Sequence, residues 1–257
     1  MKKTSVLLAV LCNIVFSFST LQAQGTAGTE ATEESRYLFN MPTAGVLSRG
    51  SYAVEGWVFP GGGALLSLSV GIADKLTFGA SYGAANLIGT GSPEWNDLPG
   101  VMVRYRIIEE ESAFPAIAIG FDSQGRDGYI QGNDRYVRKS PGFFAVASKN
   151  FELLGFITWH GGINYSLENK DDKDINFYFG VEKTIGSEIT MYAQYDAAVN
   201  DNAPSALGGG HGFLDLGLRW SIGKGITVEM NLTNVSDNLK EIDSAGRSVR
   251  LEYIRHF

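Results

Sequence analysis

From 156 to 168 the chain reads FITWHGGINYSLE, two interleaved residue sets of opposite chemistry. Ile157, Trp159, Gly161, Ile163, Tyr165 and Leu167 form a greasy set; Thr158, His160, Gly162, Asn164, Ser166 and Glu168 form a polar one. A strand turns successive side chains to opposite faces, so the stretch predicts one apolar face and one polar face. It is also long enough to cross a tilted bilayer, which takes about 9 to 11 residues. Strands of soluble proteins usually run to about 5 or 6.

The alternation recurs from residue 51 to the end. It predicts strands at 51–59, 64–72, 76–87, 101–108, 116–123, 143–150, 156–168, 175–183, 189–199, 213–222, 226–233 and 249–257. No segment sustains the 3.6-residue period of a helix. Twelve is an even number, and the connections mostly alternate short and long, as in outer-membrane barrels with tight periplasmic turns and longer outer loops. The expected fold is therefore all-β: a transmembrane, antiparallel, up-and-down β-barrel at 51–257. The rival is a soluble sandwich or lipocalin-like cup, whose apolar faces would pack together and whose polar faces would meet water.

Residues 1–23 place Lys2 and Lys3 before an apolar run and end on small residues around Ala23. That order predicts a signal peptide and export to a bacterial outer membrane. Residues 24–50 form a leader followed by a lead-in, YLFNMPTAGVLSRG, which either lines a wall or occludes the lumen. Cys12, the single cysteine, lies in the signal, so disulfides and thiolate chemistry are not expected in the mature chain. Thirty-two glycines against seven prolines, with 12% aromatics, favour long strands. The formal charge is -7 and becomes more negative once Lys2 and Lys3 are removed, which argues against nucleic acid as a partner.

If the greasy sets meet lipid, the polar sets fill the lumen. They bring Arg104, Arg106, His160, Glu182, Asp196, Asp215, Arg219 and Glu229 inside, together with Glu55, Asp122, Lys149, Glu168, Arg250 and Glu252. Such charges form either a paired network in a closed barrel or a wet pathway for a polar solute. Arg104 and Arg106 opposite Asp196, Asp215 or Glu182 would make a constriction. His160 invites comparison with the serine, histidine and asparagine of outer-membrane phospholipase. Asn164 and Ser166, however, lie ~13 and ~20 Å from it along the same strand, beyond hydrogen-bond reach. No catalytic group, metal site or cofactor is assigned; Asp171, Asp172 and Asp174 do not have the spacing of an EF-hand. The terminal Phe257 has the aromatic character read by barrel-insertion machinery, and outer-membrane lipid and lipopolysaccharide are the expected surroundings.

The run PAIAIGFDSQG at 115–125, followed by FFAVASKNF at 143–151, resembles a segment of the YjbH-type outer-membrane proteins linked to exopolysaccharide production. In that family an apolar PAxAxG strand precedes a glycine-rich loop and a strand ending in V-A-S-K; here Val146, Ala147, Ser148 and Lys149 occupy the matching place. The resemblance reaches from Pro115 to Asn164, and the family proteins are much longer. It implies an outer-membrane location and a role near surface polysaccharide, and it brings no catalytic residues. Three functions follow as expectations. The first is a narrow channel or export accessory for polar solutes. The second is a closed barrel binding partners through loops 124–141 and 200–211, and the third is a membrane hydrolase using His160.

Overall fold

A computed structural model describes residues 33–168, 172–240 and 245–257. The signal segment and most of the leader lie outside the described residues, as does Asp171. Twelve long strands follow one another: β1 (Ser51–Phe59), β2 (Gly63–Ala73), β3 (Leu76–Ala85), β4 (Gly100–Ile108), β5 (Ala116–Asp122) and β6 (Gly142–Glu152). The second half holds β7 (Phe156–Tyr165), β8 (Asn176–Ile185), β9 (Ile189–Asp196), β10 (Phe213–Gly223), β11 (Ile226–Thr233) and β12 (Gly246–His256). Each pairs antiparallel with its neighbour in sequence, and β12 returns to β1, with Ser51 opposite His256 and Val58 opposite Val249. The sheet closes on itself and leaves no long free edge, the condition for a sheet to stand in hydrocarbon.

All twelve expected strands are present, with most ends moved by one to three residues. Two shortfalls have local causes. β3 stops at Ala85 because Asn86 turns at φ 54°. β7 stops at Tyr165 because the next polar side chains serve the loops: the Glu168 N–H donates to Ser166 Oγ at 3.2 Å.

The distribution of side chains decides between lipid and water. Trp159, Phe179 and Leu251 stand outward, each about half exposed, whereas Arg104, Gln194, Asp215 and Glu229 are almost fully buried inside. A soluble barrel would place these sets the other way round. This is a closed, twelve-stranded barrel of the outer-membrane type.

One phase assignment needs correction. On β6 the inward residues are Phe144, Val146 and Ser148, so Lys149 points outward, directly opposite the exposed Trp159. Its ammonium reaches Glu110 at 3.1 Å, at the rim where the short turns lie. Alternation misleads here because this strand carries bulky apolar groups on its inner face.

Candidate functional site: a plugged and capped lumen

Those inner apolar groups exist to meet residues 33–50, which enter the barrel as a hairpin. The Leu38 N–H donates to the Met41 carbonyl at 3.0 Å and the Thr43 N–H to the Arg36 carbonyl at 3.0 Å, so the chain reverses at 38–41. Gly45 is required where the two arms touch, because a Cβ there would lie 2.1 Å from the Ser35 carbonyl oxygen. Both ends of the segment stay at the short-turn rim: Glu33 accepts from the Ser48 hydroxyl at 2.9 Å, and Phe257 N–H donates to Gly50 at 2.9 Å.

Two apolar patches seat the hairpin. Met41 and Ala44 pack with Ala118, Phe144, Val146 and Tyr178; Leu38 and Phe39 pack with Trp57, Phe59, Leu65 and Tyr192. Inward glycines make room. Tyr178 lies over Gly162 and Tyr192 over Gly217, each its cross-strand partner, and a Cβ on either glycine would strike the ring. Laid flat against the wall, these rings leave the centre of the lumen free.

Polar groups of the wall then satisfy the hairpin backbone, which would otherwise be buried unpaired at a cost of about 1 to 3 kcal/mol per group. Gln194 Oε1 accepts from the N–H groups of Phe39, Asn40 and Met41 at 3.1 to 3.2 Å. Ser148 Oγ accepts from Ala44 N–H and Thr77 Oγ1 from Leu47 N–H, both at 2.9 Å. The Tyr178 hydroxyl donates to the Pro42 carbonyl at 3.0 Å.

Here the expected constriction is not what forms. Arg104 donates to the Gly45 carbonyl at 2.8 Å with its guanidinium over the Tyr37 ring, and Arg106 donates to the Ala44 carbonyl and pairs with Glu34 and Glu109. Both arginines hold the hairpin rather than face Asp196, Asp215 or Glu182. Asp196 instead accepts from Asn176 and the Ala198 N–H, and Asp215 from Arg138 and Gln194.

Glu182, Arg219 and Glu229 belong to a girdle of alternating charge in the short-turn half. Arg219 binds Glu182 and, at 2.6 Å, Glu229; Arg250 lies 3.7 Å from Glu229 and 3.3 Å from Glu252. Arg36 of the hairpin closes the series by pairing with both Glu252 and Glu55. Arg219 also donates to the Leu38 carbonyl at 2.9 Å and to Ser35 Oγ at 2.6 Å, so wall and hairpin share one network.

The other mouth is capped by loops. Arg135 forms a bidentate pair with Asp201 at 2.7 and 2.8 Å, Arg138 bridges Asp215 and Asp127, and Lys139 donates to the Asn200 carbonyl at 2.7 Å. Loops 124–141 and 197–212 are thereby joined into one lid. These residues escape an alternation argument because they lie between strands. The signal present in the sequence was four cations, Arg126, Arg135, Arg138 and Lys139, in one loop of an otherwise acidic chain.

Beneath that lid the Glu168 carboxylate accepts from the Ser140 hydroxyl and from the N–H groups of Tyr136 and Ser140. Burial holds its carboxyl above the usual glutamate range, although those donors and Arg135 pull it down. Asp127 is raised in the same direction by burial, against Arg138. A carboxyl whose pKa is higher in the closed lid than in the open one favours closure below the ordinary glutamate value of ~4.3, and that contribution fades as pH rises through the raised value. Proteolysis of loop 124–141 is therefore expected to be slower at mildly acid pH than at neutral pH. Glu168→Gln should shrink the difference; an unchanged difference would remove Glu168 as its source.

His160 has a neighbour that same-strand spacing could not supply. Ser148, directly opposite on β6, places Oγ 2.8 Å from Nδ1. Ser148 Oγ also accepts the Ala44 N–H, and His160 Nε2 is left 3.9 Å from Glu182 with no hydrogen bond. The hairpin lies on this group and Glu182 is committed to Arg219, so the arrangement is a tether for the hairpin. Phospholipid hydrolysis by His160→Ala is expected to equal that of the unaltered protein. A hydrolysis rate that falls in this variant would restore the serine hydrolase reading.

The fold and the lumen together define an outer-membrane-type barrel with an internal plug. Among solved structures, the chain is similar to the KdgM porin, with 12% identity and a TM-score of 0.54, covering 80% of this chain and 99% of that one. The KdgM porin in complex with disordered oligogalacturonate aligns over the same shares at 9% identity and a TM-score of 0.49. Outer membrane phospholipase A from Escherichia coli aligns at 12% identity and a TM-score of 0.39, over 92% of this chain and 99% of that one. At these identities the likeness to the KdgM porin is one of fold. No family model matches the chain, and no curated protein is similar to it.

Proposed function

We propose that this protein is a narrow outer-membrane channel for polar solutes that is held shut by its own hairpin. The observation that carries the reading is that the charged lumen is completed by a separate segment: Arg36, and the carbonyls that receive Arg104 and Arg219, all come from residues 33–50. A wall meant only to be a solid scaffold could pair its charges strand to strand. The porin fold supports the reading, and the YjbH-type resemblance between Pro115 and Asn164 points to surface polysaccharide as the solute class, in an export or accessory role. In this orientation the short-turn rim faces the periplasm, and Phe257, exposed beside Tyr52 at that rim, serves recognition by the insertion machinery.

The joined lid favours a second reading, a closed barrel whose loops dock a partner. Single-channel recording on the refolded protein, after its heat-shifted gel mobility has been verified, separates the two. Discrete openings across a range of voltages support the channel; an intact barrel that never opens supports the scaffold.

A further inference from the structure

The lipid-facing wall is not uniform. Across β12, β1, β2 and β3, near the long-loop rim, it is indented by a trough of about 780 Å³. Its floor is made by small outward residues. Gly56 sits between Leu251 on one side and Leu66 on the other, and Ala80 lies beside Leu68. A Cβ added at Gly56 would meet nothing within 4 Å, so the notch is open space.

A dedicated segment raises one wall of this trough. The loop after β3 is pinned outward by Asn86 N–H to the Gly61 carbonyl, Ile88 N–H to the Gly62 carbonyl and Asn96 N–H to the Gly83 carbonyl. That places Trp95 flat against Tyr82, with ring centroids 5.6 Å apart and planes 11° apart. Lipid tails are as apolar as leucine, so the trough gains nothing from hydrophobic transfer. Its shape sets it apart from the rest of the wall, and so does a charge at its mouth. Val249 and Leu251 line it on β12, and one dyad further toward the rim stands Arg247, exposed and without a hydrogen bond or ion pair among the described residues. A guanidinium at that height faces the headgroup layer, where phosphate is the anion it fits.

We infer that the trough is a binding site for a phosphate-bearing, acyl-chain lipid of the outer leaflet, with one chain lying over Gly56 and the phosphate on Arg247. The inference rests on the membrane placement of the barrel and is independent of whether the lumen conducts.

The test is native mass spectrometry of the whole protein released from nanodiscs containing purified lipid A, with nanodiscs of digalactosyldiacylglycerol, which carries acyl chains and no phosphate, as the comparison. Retained lipid A should fall at least about tenfold in Arg247→Gln, which loses a charge-assisted contact in water and leaves the barrel untouched. Gly56→Leu, which fills the notch, should lower retention of both lipids at least about threefold through lost packing. Equal retention of lipid A by Arg247→Gln and the unaltered protein would overturn the site. So would a trough covered by a second copy, seen as a dimer that Gly56→Leu dissociates.

Discussion

Replacing residues 35–46 with a glycine-serine linker of equal length is expected to raise the mean current through the barrel at least about tenfold, because closing contacts worth ~1.4 kcal/mol or more are lost. Arg104 and Arg106, freed from the Gly45 and Ala44 carbonyls, should then face the vacated space beside a girdle in which Glu55, Glu182, Glu229 and Glu252 stand against Arg219 and Arg250. The lid still covers the far mouth, so currents should rise further when loop 124–141 is shortened as well. Heat-shifted mobility must persist in both variants. A well-folded barrel that stays silent after both changes would show that the wall closes itself, and the channel reading would fall.

The second large effect concerns stability. Arg219→Ala should cost about 3 to 5 kcal/mol, because it strands the buried carboxylate of Glu182 without its arginine and leaves Glu229 only the more distant Arg250 at 3.7 Å. The hairpin loses its bonds to Ser35, Tyr37 and Leu38 in the same stroke. The readout is the urea midpoint for loss of heat-shifted mobility. Combining Arg219→Met with Glu182→Gln and Glu229→Gln should recover most of the loss, since replacing a buried ionic set with neutral groups of similar volume is often close to neutral. If the triple variant is no better than Arg219→Ala, the damage lies in the hairpin contacts rather than in stranded charge.

The barrel was legible because its strands are exposed to opposite solvents on their two faces, which forces a two-residue period. Phe177, Phe179 and Val181 against Asn176, Tyr178 and Glu182 leave little choice of face. The eight lumen residues follow from the same period, and all eight are buried inside. Alternation could not give their partners, because a luminal side chain can reach any strand, a loop or the hairpin. Arg104 illustrates this: its phase is fixed by Val103 and Tyr105 on either side, whereas its acceptor, the Gly45 carbonyl, is a backbone atom 59 residues away. β6 failed for a related reason. Where a plug fills the lumen the inner face is no longer water, so Phe144 and Val146 obey packing rather than polarity.

Because residues 33 and 50 leave the barrel by the same mouth, the plug is a bight and not a threaded end. A rope laid into a ring as a loop can be drawn back without its end passing through, and no strand need part. Tension applied to the polypeptide ahead of Glu33 would act on the bonds of one arm in succession, beginning with Glu34 to Arg106 and Arg36 to Glu55 and Glu252. The bonds thus break in sequence rather than at once, so a pull on that arm needs less force than breaking them all together.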